Sequence, residues 1–416
     1  MKIANMAASA ALCAFLVGGC SREAEIPEPV MGPPVEENAA NAPEQVPAFP
    51  EQTRAPSMIS NVSFEVETIA EGLVDLWGMA FLPDGRLLVT ERDGRMRIVD
   101  GANLSPAIEG VPEITRQEIS GLADVVLDPD FARNHRIFWS YVEGRPEGNM
   151  LTVARGTLID GAAPRLDDVE VIYRQEPSLP SEHGNFGARM LFDDSGALFV
   201  TLGDLASTPL RPYIQQLDTG IGKIVRITTD GKPAPGNPYA GQEGALPELW
   251  AAGFRNPLGL AFRPGTEQLW EVDVGPRGGD ELNLIEPGAN YGWPVNSYGL
   301  EYSGELVGDG PVSGGEDAGG YLQPVYYWDP VISPSSLAFY TGDLFPEWRG
   351  DAFVTSLSQM HLVRLKLEGD RVVGEERLLV DQEERLRLVK QAPDGSLYVL
   401  TDGVEGKILR IVPAKK

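Results

Sequence analysis

The sequence predicts an all-β fold, a six-bladed β-propeller with four-stranded antiparallel blades. The chain has 416 residues and is rich in glycine (47) and proline (34), a composition that favours many turns and short strands over long helices. One pattern also recurs six times: an apolar strand, a turn of the Pro-Asp-Gly type, and a second strand that ends in Thr, Ser or Asp. A second hairpin usually follows each copy, so each repeat supplies four strands, and repeats of this kind close into a ring around a central channel.

The six copies extend over the whole of the predicted folded region. The clearest is 79–90, in which Pro83 presets one dihedral angle of the turn and Gly85 supplies a positive φ. The other five occupy 125–141, 190–201, 260–272, 337–355 and 389–400. Six unrelated hairpins in a β-sandwich are the alternative, but this recurrence favours a radial fold. Long glycine-rich insertions in the third to fifth repeats indicate that these blades build the functional face.

Residues 1–20 have the features of a signal peptide with a lipobox. Lys2 provides the positive charge, and the apolar run that follows is too short for an ordinary membrane-spanning helix. The run Val17-Gly18-Gly19-Cys20 resembles the lipobox of bacterial lipoproteins, with Cys20 as the lipidated first mature residue. A plain secretory signal or an uncleaved anchor is the alternative. Since Ser21 is not the aspartate that usually marks inner-membrane retention, we expect a periplasmic protein that is lipid-anchored to the outer membrane.

Residues 21–60 are rich in proline and glutamate and poor in aromatic residues, so they are predicted to form a disordered tether. The propeller is predicted to occupy 61–416. The two cysteines, Cys13 and Cys20, both precede it, so the folded domain has neither a disulfide nor a thiolate metal site. The formal net charge of −27 argues against nucleic acid as a partner, because phosphate binding needs clustered lysines and arginines.

Three stretches carry residue types that suit a reaction. His183 is one of three histidines, and its unperturbed pKa of about 6.5 suits a general base near neutral pH, although it could equally be an ordinary polar loop residue. Arg255, in 253–257, offers a fixed positive charge to a developing oxyanion, or alternatively a structural contact to loop carbonyls. The loop 275–281 combines glycine and proline carbonyls with carboxylates, which are ligands that Ca²⁺ prefers, although it matches no EF-hand.

The order of the motifs resembles that of the soluble quinoprotein sugar dehydrogenases, the family of PQQ-dependent glucose and aldose sugar dehydrogenases. The resemblance extends over residues 71–413, and members of the family are six-bladed propellers, in agreement with the repeat count. The matching motifs in chain order are His183, Gly203-Asp204, 222–226, 253–259, 275–281 and 290–294.

The resemblance implies that the protein oxidises aldose sugars at C1 to lactones. His183 would take the proton from the anomeric hydroxyl, and the C1 hydride would pass to the C5 carbonyl of PQQ. Arg255 and Asn256 would contact the quinone oxygens and stabilise the charge that develops there. The backbone carbonyls of Gly275 and Pro276 would hold the Ca²⁺ that binds and polarises PQQ.

Two further groups of residues follow from the same resemblance. Asp280, Glu281 and Tyr291 match positions that bind a structural calcium in the family. Arg385 and Arg387 match an arginine pair that contacts the carboxylates of PQQ, a ligand to which arginine forks are well suited. The expected partners are a sugar substrate and an electron acceptor that the sequence does not identify, and the chain is expected to be a monomer or a homodimer.

The sequence departs from the family pattern at two positions. The family usually has a glutamine just before the Gly-Leu of the second blade, but here Ile119 and Ser120 precede Gly121, and Gln117 lies further upstream. In the fifth blade, Ser358 stands where the family usually has a lysine that pairs with PQQ. Loss of that cation is expected to weaken the binding of an anionic cofactor.

Two alternative functions remain open at the level of the sequence. One is a calcium-dependent propeller hydrolase, similar to a lactonase, in which several carboxylate and asparagine side chains would surround the ion. The other is a non-catalytic surface lipoprotein that binds sugar or another protein, an interpretation that the two departures would support.

Overall fold

The computed structural model of the chain describes residues 29–178, 180, 184–308 and 320–415. Its strands form six sheets, and each sequence repeat begins one of them. Five sheets have four antiparallel strands, while the sheet of the fifth blade has two additional strands at its edge. The prediction of an all-β, six-bladed propeller is confirmed.

Strands are numbered in chain order, and three precede the first repeat: β1 (Val30–Pro34), β2 (Pro56–Ile59) and β3 (Phe64–Leu73). Blade 1 contains β4 (Leu76–Phe81), β5 (Leu87–Glu91), β6 (Arg95–Asp100) and β7 (Asn103–Leu104). Blade 2 contains β8 (Leu122–Leu127), β9 (Arg136–Arg145), β10 (Gly148–Ile159) and β11 (Arg165–Arg174). Blade 3 contains β12 (Gly187–Phe192), β13 (Leu198–Leu202), β14 (Lys223–Ile227) and β15 (Leu249–Ala252).

Blade 4 contains β16 (Pro257–Phe262), β17 (Leu269–Asp273), β18 (Asp280–Ile285) and β19 (Tyr326–Trp328). Blade 5 contains β20 (Pro334–Phe339), β21 (Ala352–Ser356), β22 (Leu362–Glu368) and β23 (Arg371–Leu378). Blade 6 contains β24 (Leu386–Gln391), β25 (Leu397–Thr401) and β26 (Gly406–Pro413), together with β3.

Within the residues that the structure describes, helical structure is limited to short connections. The α-helical turns are α1 (Phe131–Asn134) and α2 (Arg211–Ile214), and the 3₁₀ turns are Thr208–Leu210, Pro346–Trp348 and Val380–Gln382. In the part of the chain that the structure describes, no helix has the length and apolar character needed to cross a bilayer.

The ring is closed by a strand from the N-terminal side of the domain. β3 pairs antiparallel with β26, so that Phe64 lies opposite Pro413 and Leu73 lies opposite Gly406. Blade 6 therefore takes three strands from the end of the chain and its outer strand from the beginning, which joins the two ends of the domain in one sheet.

The hydrophobic core lies between neighbouring blades. Each of the six blade interfaces has its own cluster of buried apolar side chains. The first strands of adjacent blades contact one another all the way round the ring, so they line the central channel. Two buried charged residues on these strands, Asp124 of β8 and Arg189 of β12, approach each other to 3.1 Å and tie blades 2 and 3 together.

The antiparallel order of the strands places the candidate residues at one end of the ring. The hairpin turns between the first and second strands of the blades lie at one end. The loops between second and third strands, and the connections from one blade to the next, lie at the other end, which we call the upper rim. Its loops with candidate residues are 253–256, 274–279, 357–361, 379–385 and 402–405.

Residues 29–60 are folded onto the propeller, which corrects the prediction of a disordered tether over 21–60. β1 and β2 pair with each other, and β2 runs beside β23 of blade 5. The fully buried Gln52 donates a hydrogen bond of 2.7 Å to the carbonyl of Pro324. The buried side chains of Ala42, Ala55 and Met58 and polar contacts such as that of Gln52 hold this segment, and a composition rich in proline and glutamate does not reveal such contacts. The predicted signal peptide and Cys20 lie outside the described residues.

Candidate functional site

Arg255 and Asn256 lie in the connection between blades 3 and 4. The carboxylate of Asp273, at the end of β17, accepts both of their backbone N–H groups, at 2.8 Å from Arg255 and 2.6 Å from Asn256. The side-chain oxygen of Asn256 accepts the N–H of Gly187 at 3.1 Å, which ties the connection to β12. Blades 3 and 4 together therefore fix the position of Arg255 on the upper rim.

The guanidinium group of Arg255 contacts the blade-4 loop that was predicted to bind calcium. Its Nη1 donates to the carbonyls of Val274 and Gly275 at 2.9 and 3.0 Å, and its Nη2 donates to the hydroxyl of Tyr302 at 3.3 Å. Its Cζ lies 5.6 Å from the ring centre of Trp293. The side chain is buried, so Arg255 is a charge held in place by its neighbours.

Three carboxylates occupy one face of blade 4 beside this arginine. Glu271 and Asp273 are two residues apart on β17 and therefore lie on the same face of the sheet. Glu281 of β18 pairs with Asp273 on the neighbouring strand. Desolvation raises the pKa of Asp273 to about 7 and that of Glu281 to about 8, and a nearby carboxylate adds to each shift. Burial also raises the pKa of Glu271 well above its usual value. A bound cation would favour the charged forms of these groups, so its binding would release protons.

A small cavity lies between two of these carboxylates, Asp273 and Glu281, and the loop 274–279. It has about 10 Å³ of room for the centre of a water molecule, enough for one water or one ion. Its walls include Arg255, Asp273, Gly275, Glu281, Tyr291 and Ser297. Pro276, the other predicted carbonyl donor, follows Gly275 in the loop.

The donor set of the cavity suits a calcium ion held mainly by backbone oxygens. Within the described ranges, no three His, Cys, Asp or Glu side chains are grouped as they would be around a metal ion. A cation here would therefore combine the carboxylate of Glu281 with loop carbonyls such as that of Gly275. Ca²⁺ accepts such mixtures of carboxylate and carbonyl oxygens.

Two of the predicted metal residues use their side chains for other contacts. The carboxylate of Asp280 accepts three backbone N–H groups, one from Gly275 at 2.8 Å and two from the turn 332–333 at 2.7 Å. Tyr291 donates its hydroxyl to the carbonyl of Leu284 at 2.6 Å. The side chains of Asp280 and Tyr291 therefore organise the loops. Of the three predicted metal residues, Glu281 is the one that offers a carboxylate to the cavity.

Arg385 and Arg387 lie in blade 6, elsewhere on the upper rim. Both approach the same oxygen of Asp402, at 3.3 Å from Arg385 and 3.2 Å from Arg387. Burial lowers the pKa of Arg387 to about 10, and repulsion from Arg92 and Arg385 adds to this shift. Burial alone would raise the pKa of Asp402, but the surrounding arginines lower it.

Arg92 and Arg116 belong to the same cluster, and sequence reasoning missed both. Arg92 bridges Asp402 and Asp75 at 2.9 and 2.7 Å, and Arg116 approaches Asp75 at 2.8 Å. With the two arginines of blade 6, four guanidinium groups share two carboxylates, and Asp93 is a third carboxylate close enough to act on Arg116. The cluster therefore keeps an excess of positive charge. Among the described residues, the buried Nε atoms of Arg92 and Arg387 have no hydrogen-bond partner. The available signal was the place of Arg92, directly after the second strand of its blade.

His183 and the two residues before it lie outside the described residues. The chain directly after it is held by neighbouring loops. The carbonyl of Gly184 accepts a hydrogen bond from the hydroxyl of Ser120 at 2.6 Å, and the side-chain amide of Asn185 donates to Asp204 at 3.0 Å. Blades 2 and 3 therefore anchor the C-terminal end of the histidine loop.

The two departures from the family pattern differ in their structural consequence. A Cβ on Gly184 would lie 3.2 Å from the Cβ of Gln117, so a glutamine neighbours the histidine loop although Ile119 occupies the position where the family has one. Ser358, by contrast, is exposed on the upper rim, and its hydroxyl donates to the carbonyl of Val331 at 3.3 Å. The glutamine therefore has a candidate substitute, whereas Ser358 offers no charge.

Comparisons with known proteins identify the family of the chain. The model of the family described as Glucose / Sorbosone dehydrogenase matches residues 73–410. The protein named aldose sugar dehydrogenase YliI of Escherichia coli (strain K12) is 40% identical over 351 residues, which cover 84% of this chain and 92% of that relative.

Solved structures show the same likeness. A crystal structure of a glucose dehydrogenase matches with a TM-score of 0.79 and 45% identity, covering 84% of this chain and 100% of the other. The PQQ-bound form of an aldose sugar dehydrogenase from Streptomyces coelicolor matches with a TM-score of 0.67 and 28% identity, covering 84% of this chain and 98% of the other. These matches confirm the resemblance seen in the motifs, and the chain belongs to the glucose/sorbosone dehydrogenase family.

Proposed function

We propose that the protein is a PQQ-dependent dehydrogenase that oxidises aldose sugars at C1 to lactones, with His183 as the general base and calcium as a second cofactor. The name of the Escherichia coli relative and the PQQ-bound Streptomyces structure support this proposal. The observation that carries it is the charge pattern of the upper rim. A cluster with an excess of positive charge and an acidic cavity for one ion lie at the same end of the ring.

The arginine cluster suits a ligand with three carboxylates. Arg92 and Arg387 each keep a buried Nε without a partner among the described residues, and an anion would supply the acceptors. The side chain of Arg385 is 47% exposed, so a ligand can reach the cluster from solvent. These features support the binding of PQQ by residues of blades 1 and 6.

When bound, PQQ supplies the quinone that accepts a hydride from C1 of the sugar. The guanidinium of Arg255, held by neighbouring carbonyls, would offer a fixed positive charge to a quinone oxygen of the bound cofactor. Asn256, held in place by Asp273, lies beside it as a second contact. His183 takes the proton of the anomeric hydroxyl, while Ser120 holds the chain next to this base.

Calcium is assigned in this proposal to the small cavity of blade 4. Its carboxylates are desolvated and lie close together, and a cation would stabilise their charged forms. The resemblance implies two calcium ions, one held beside PQQ by the carbonyls of Gly275 and Pro276 and one structural. We propose a single ion in this cavity, with Glu281 and the carbonyl of Gly275, which also accepts a hydrogen bond from Arg255, as ligands. Asp280 and Tyr291 act by holding the loops around it.

The proposal includes the location of the protein. Lipidation at Cys20 would anchor the chain to the outer membrane on the periplasmic side. Metabolic labelling with a radioactive fatty acid is expected to label the parent chain and not Cys20→Ser. A parent chain that stays unlabelled would contradict the lipid anchor.

The direct test uses the full chain, first depleted of divalent ions and then titrated with PQQ and Ca²⁺. We expect a change in PQQ absorbance that saturates, and reduction of an artificial electron acceptor with one or more aldoses. His183→Ala should bind PQQ as the parent does and lose most of this activity. If that variant keeps full activity, the proposed base is wrong.

The same titration decides between the proposal and its alternatives. The absence of both PQQ binding and acceptor reduction would reject the dehydrogenase and favour a non-catalytic binding protein, for which Ser358 is the supporting observation. Hydrolysis of a lactone by the calcium-loaded protein without PQQ would favour the hydrolase.

A further inference from the structure

Residues 36–54 lie against two loops of the upper rim, and we call this segment the clasp. It precedes the region 73–410 that the family model matches. Three groups of polar contacts between the clasp and the propeller each lead to a loop beside the candidate site.

The first contact is with Asp329, in the connection between blades 4 and 5. Its carboxylate accepts the backbone N–H groups of Asn41 at 2.7 Å and Ala42 at 2.9 Å, and the residue is only 5% exposed. Gly278 of the blade-4 loop packs directly against this pair. A Cβ on Gly278 would stand 2.8 Å from Oδ1 of Asp329 and 3.4 Å from the Cβ of Asn41, and its φ of 81° also favours glycine. The clasp therefore packs against the loop 274–279 at Gly278.

The second contact is with the described ends of the blade-4 insertion. Gln45 donates to the carbonyl of Ser297 at 3.0 Å, and Ser297 also lines the small cavity. Gln52 donates to the carbonyl of Pro324 at 2.7 Å and accepts the hydroxyl of Tyr298 at 3.2 Å. Two glutamines of the clasp therefore form hydrogen bonds with the chain at the start and at the end of the insertion.

The third contact leads to blade 5. Glu36, whose side chain is 7% exposed, pairs with Arg377 at 2.8 Å. The same guanidinium donates to the side-chain oxygen of Gln359 at 3.0 Å. Gln359 belongs to the loop 357–361 and is next to Ser358, the position at which the family pattern has a lysine. Arg377 therefore links the clasp to the part of the rim where a cofactor contact is missing.

We propose that the clasp positions the blade-4 loop 274–279 and the blade-5 loop 357–361 for the cofactor, with Asp329 and Glu36 as positioning residues. This proposal rests on the proposed function for its ligand, PQQ with Ca²⁺. Both loops are held from behind by polar contacts with buried partners, and loss of such outer contacts typically weakens ligand binding about tenfold or more.

The test compares the full-length parent with Glu36→Gln, Asp329→Asn and the control Glu37→Gln. Glu37 is the exposed neighbour of Glu36, so its variant makes the same charge change without touching Arg377. Two quantities are measured: amide hydrogen exchange of peptides in the protein without cofactor, and the Kd for PQQ at a fixed Ca²⁺ concentration.

We expect faster exchange in 357–361 for Glu36→Gln and in 274–279 for Asp329→Asn, with exchange of β9 in blade 2 unchanged. Each variant should raise the Kd for PQQ about tenfold, and saturating PQQ should restore the parent kcat, as a positioning role requires. The control should match the parent.

Unchanged exchange in both loops, or a rise that spreads equally to β9, would overturn the proposal. If Asp329→Asn does not fold, Glu36→Gln decides, because it breaks one ion pair at the edge of the clasp. If the parent itself does not bind PQQ, the proposed function fails, and the exchange data still decide whether the clasp holds these loops.

Discussion

Blade 4 and the junction of blades 1 and 6 carry opposite charges on the same rim. In blade 4, Glu271, Asp273 and Glu281 share one face, and their raised pKa values follow mainly from burial. At the junction, burial lowers the pKa of Arg387, and neighbouring arginines add to the shift. Each region therefore disfavours its own charge and would be stabilised by a partner of opposite sign.

The two regions also differ in access. The blade-4 cavity has room for a single ion, whereas the side chain of Arg385 at the junction is 47% exposed. Blade 4 could therefore enclose only a single small ion, whereas the junction is open to a larger ligand from solvent. A cation bound together with a polycarboxylate would neutralise both regions at once, and this is the basis on which we propose calcium and PQQ.

Arg255 lies against the blade-4 cavity and gives the largest expected effect. Arg255→Ala removes the buried guanidinium proposed to stabilise the developing negative charge, so we expect kcat to fall about 10²- to 10³-fold. Steady-state kinetics at saturating PQQ and Ca²⁺ measure this. Arg349→Ala, in which a side chain that is 55% exposed is removed, is the control. A loss of less than about threefold in Arg255→Ala would remove Arg255 from the reaction.

Glu281→Gln tests the acidic region by itself, because only the binding of Ca²⁺ should depend on this carboxylate. The variant removes the carboxylate that lines the cavity, so we expect the affinity for Ca²⁺ to fall about tenfold or more while the Kd for PQQ at saturating Ca²⁺ stays at the parent value. Calorimetric titration with Ca²⁺ measures the first quantity. Glu267→Gln, in the exposed hairpin turn of the same blade, is the matched control. Parent-like calcium binding in Glu281→Gln would place the ion elsewhere.

Arg387→Gln tests the basic region, and it should weaken the binding of PQQ rather than that of Ca²⁺. We expect the Kd for PQQ to rise about tenfold, because a buried fork that suits a carboxylate is lost, while calcium binding is unchanged. Asp402 keeps its contacts with Arg385 and Arg92, so the fold should persist. Arg410→Gln on β26 of the same blade serves as the control. If the variant weakened calcium and not PQQ, the assignment of the two regions would be reversed.

The fold could be predicted from the sequence because its signal is local. Each blade repeats a turn such as 83–85 between two strands, and that pattern is contained within a few residues. The pairing of β3 with β26 and the packing of the clasp depend on residues far apart in the chain. The clasp in particular is held by polar side chains such as Gln52, which in sequence look like those of a solvated linker.

The candidate site likewise contains residues that a local motif indicates and residues that only the folded structure brings together. Arg255 and Glu281 could be proposed from the sequence because each lies in a short motif whose order resembles that of a known family. Arg92 and Arg116 were missed because their role arises only where blades 1, 2 and 6 meet around Asp75. No spacing in the sequence shows that four arginines share two aspartates.

Ser358→Lys gives the smallest expected effect and sharpens the comparison between the two regions. The substitution adds a positive charge to the blade-5 loop, at the position where the family pattern has a lysine. Since Ser358 is exposed, the new charge should contribute about 0.2–1 kcal/mol, which lowers the Kd for PQQ about 1.4- to 5-fold. Ser358→Gln, of similar length and without charge, should leave the Kd unchanged. The gain should vanish near 1 M salt, where the screening length is about 3 Å. An equal gain in both variants, or a gain that persists at high salt, would show that it does not come from charge and that this loop does not face the anionic part of the cofactor.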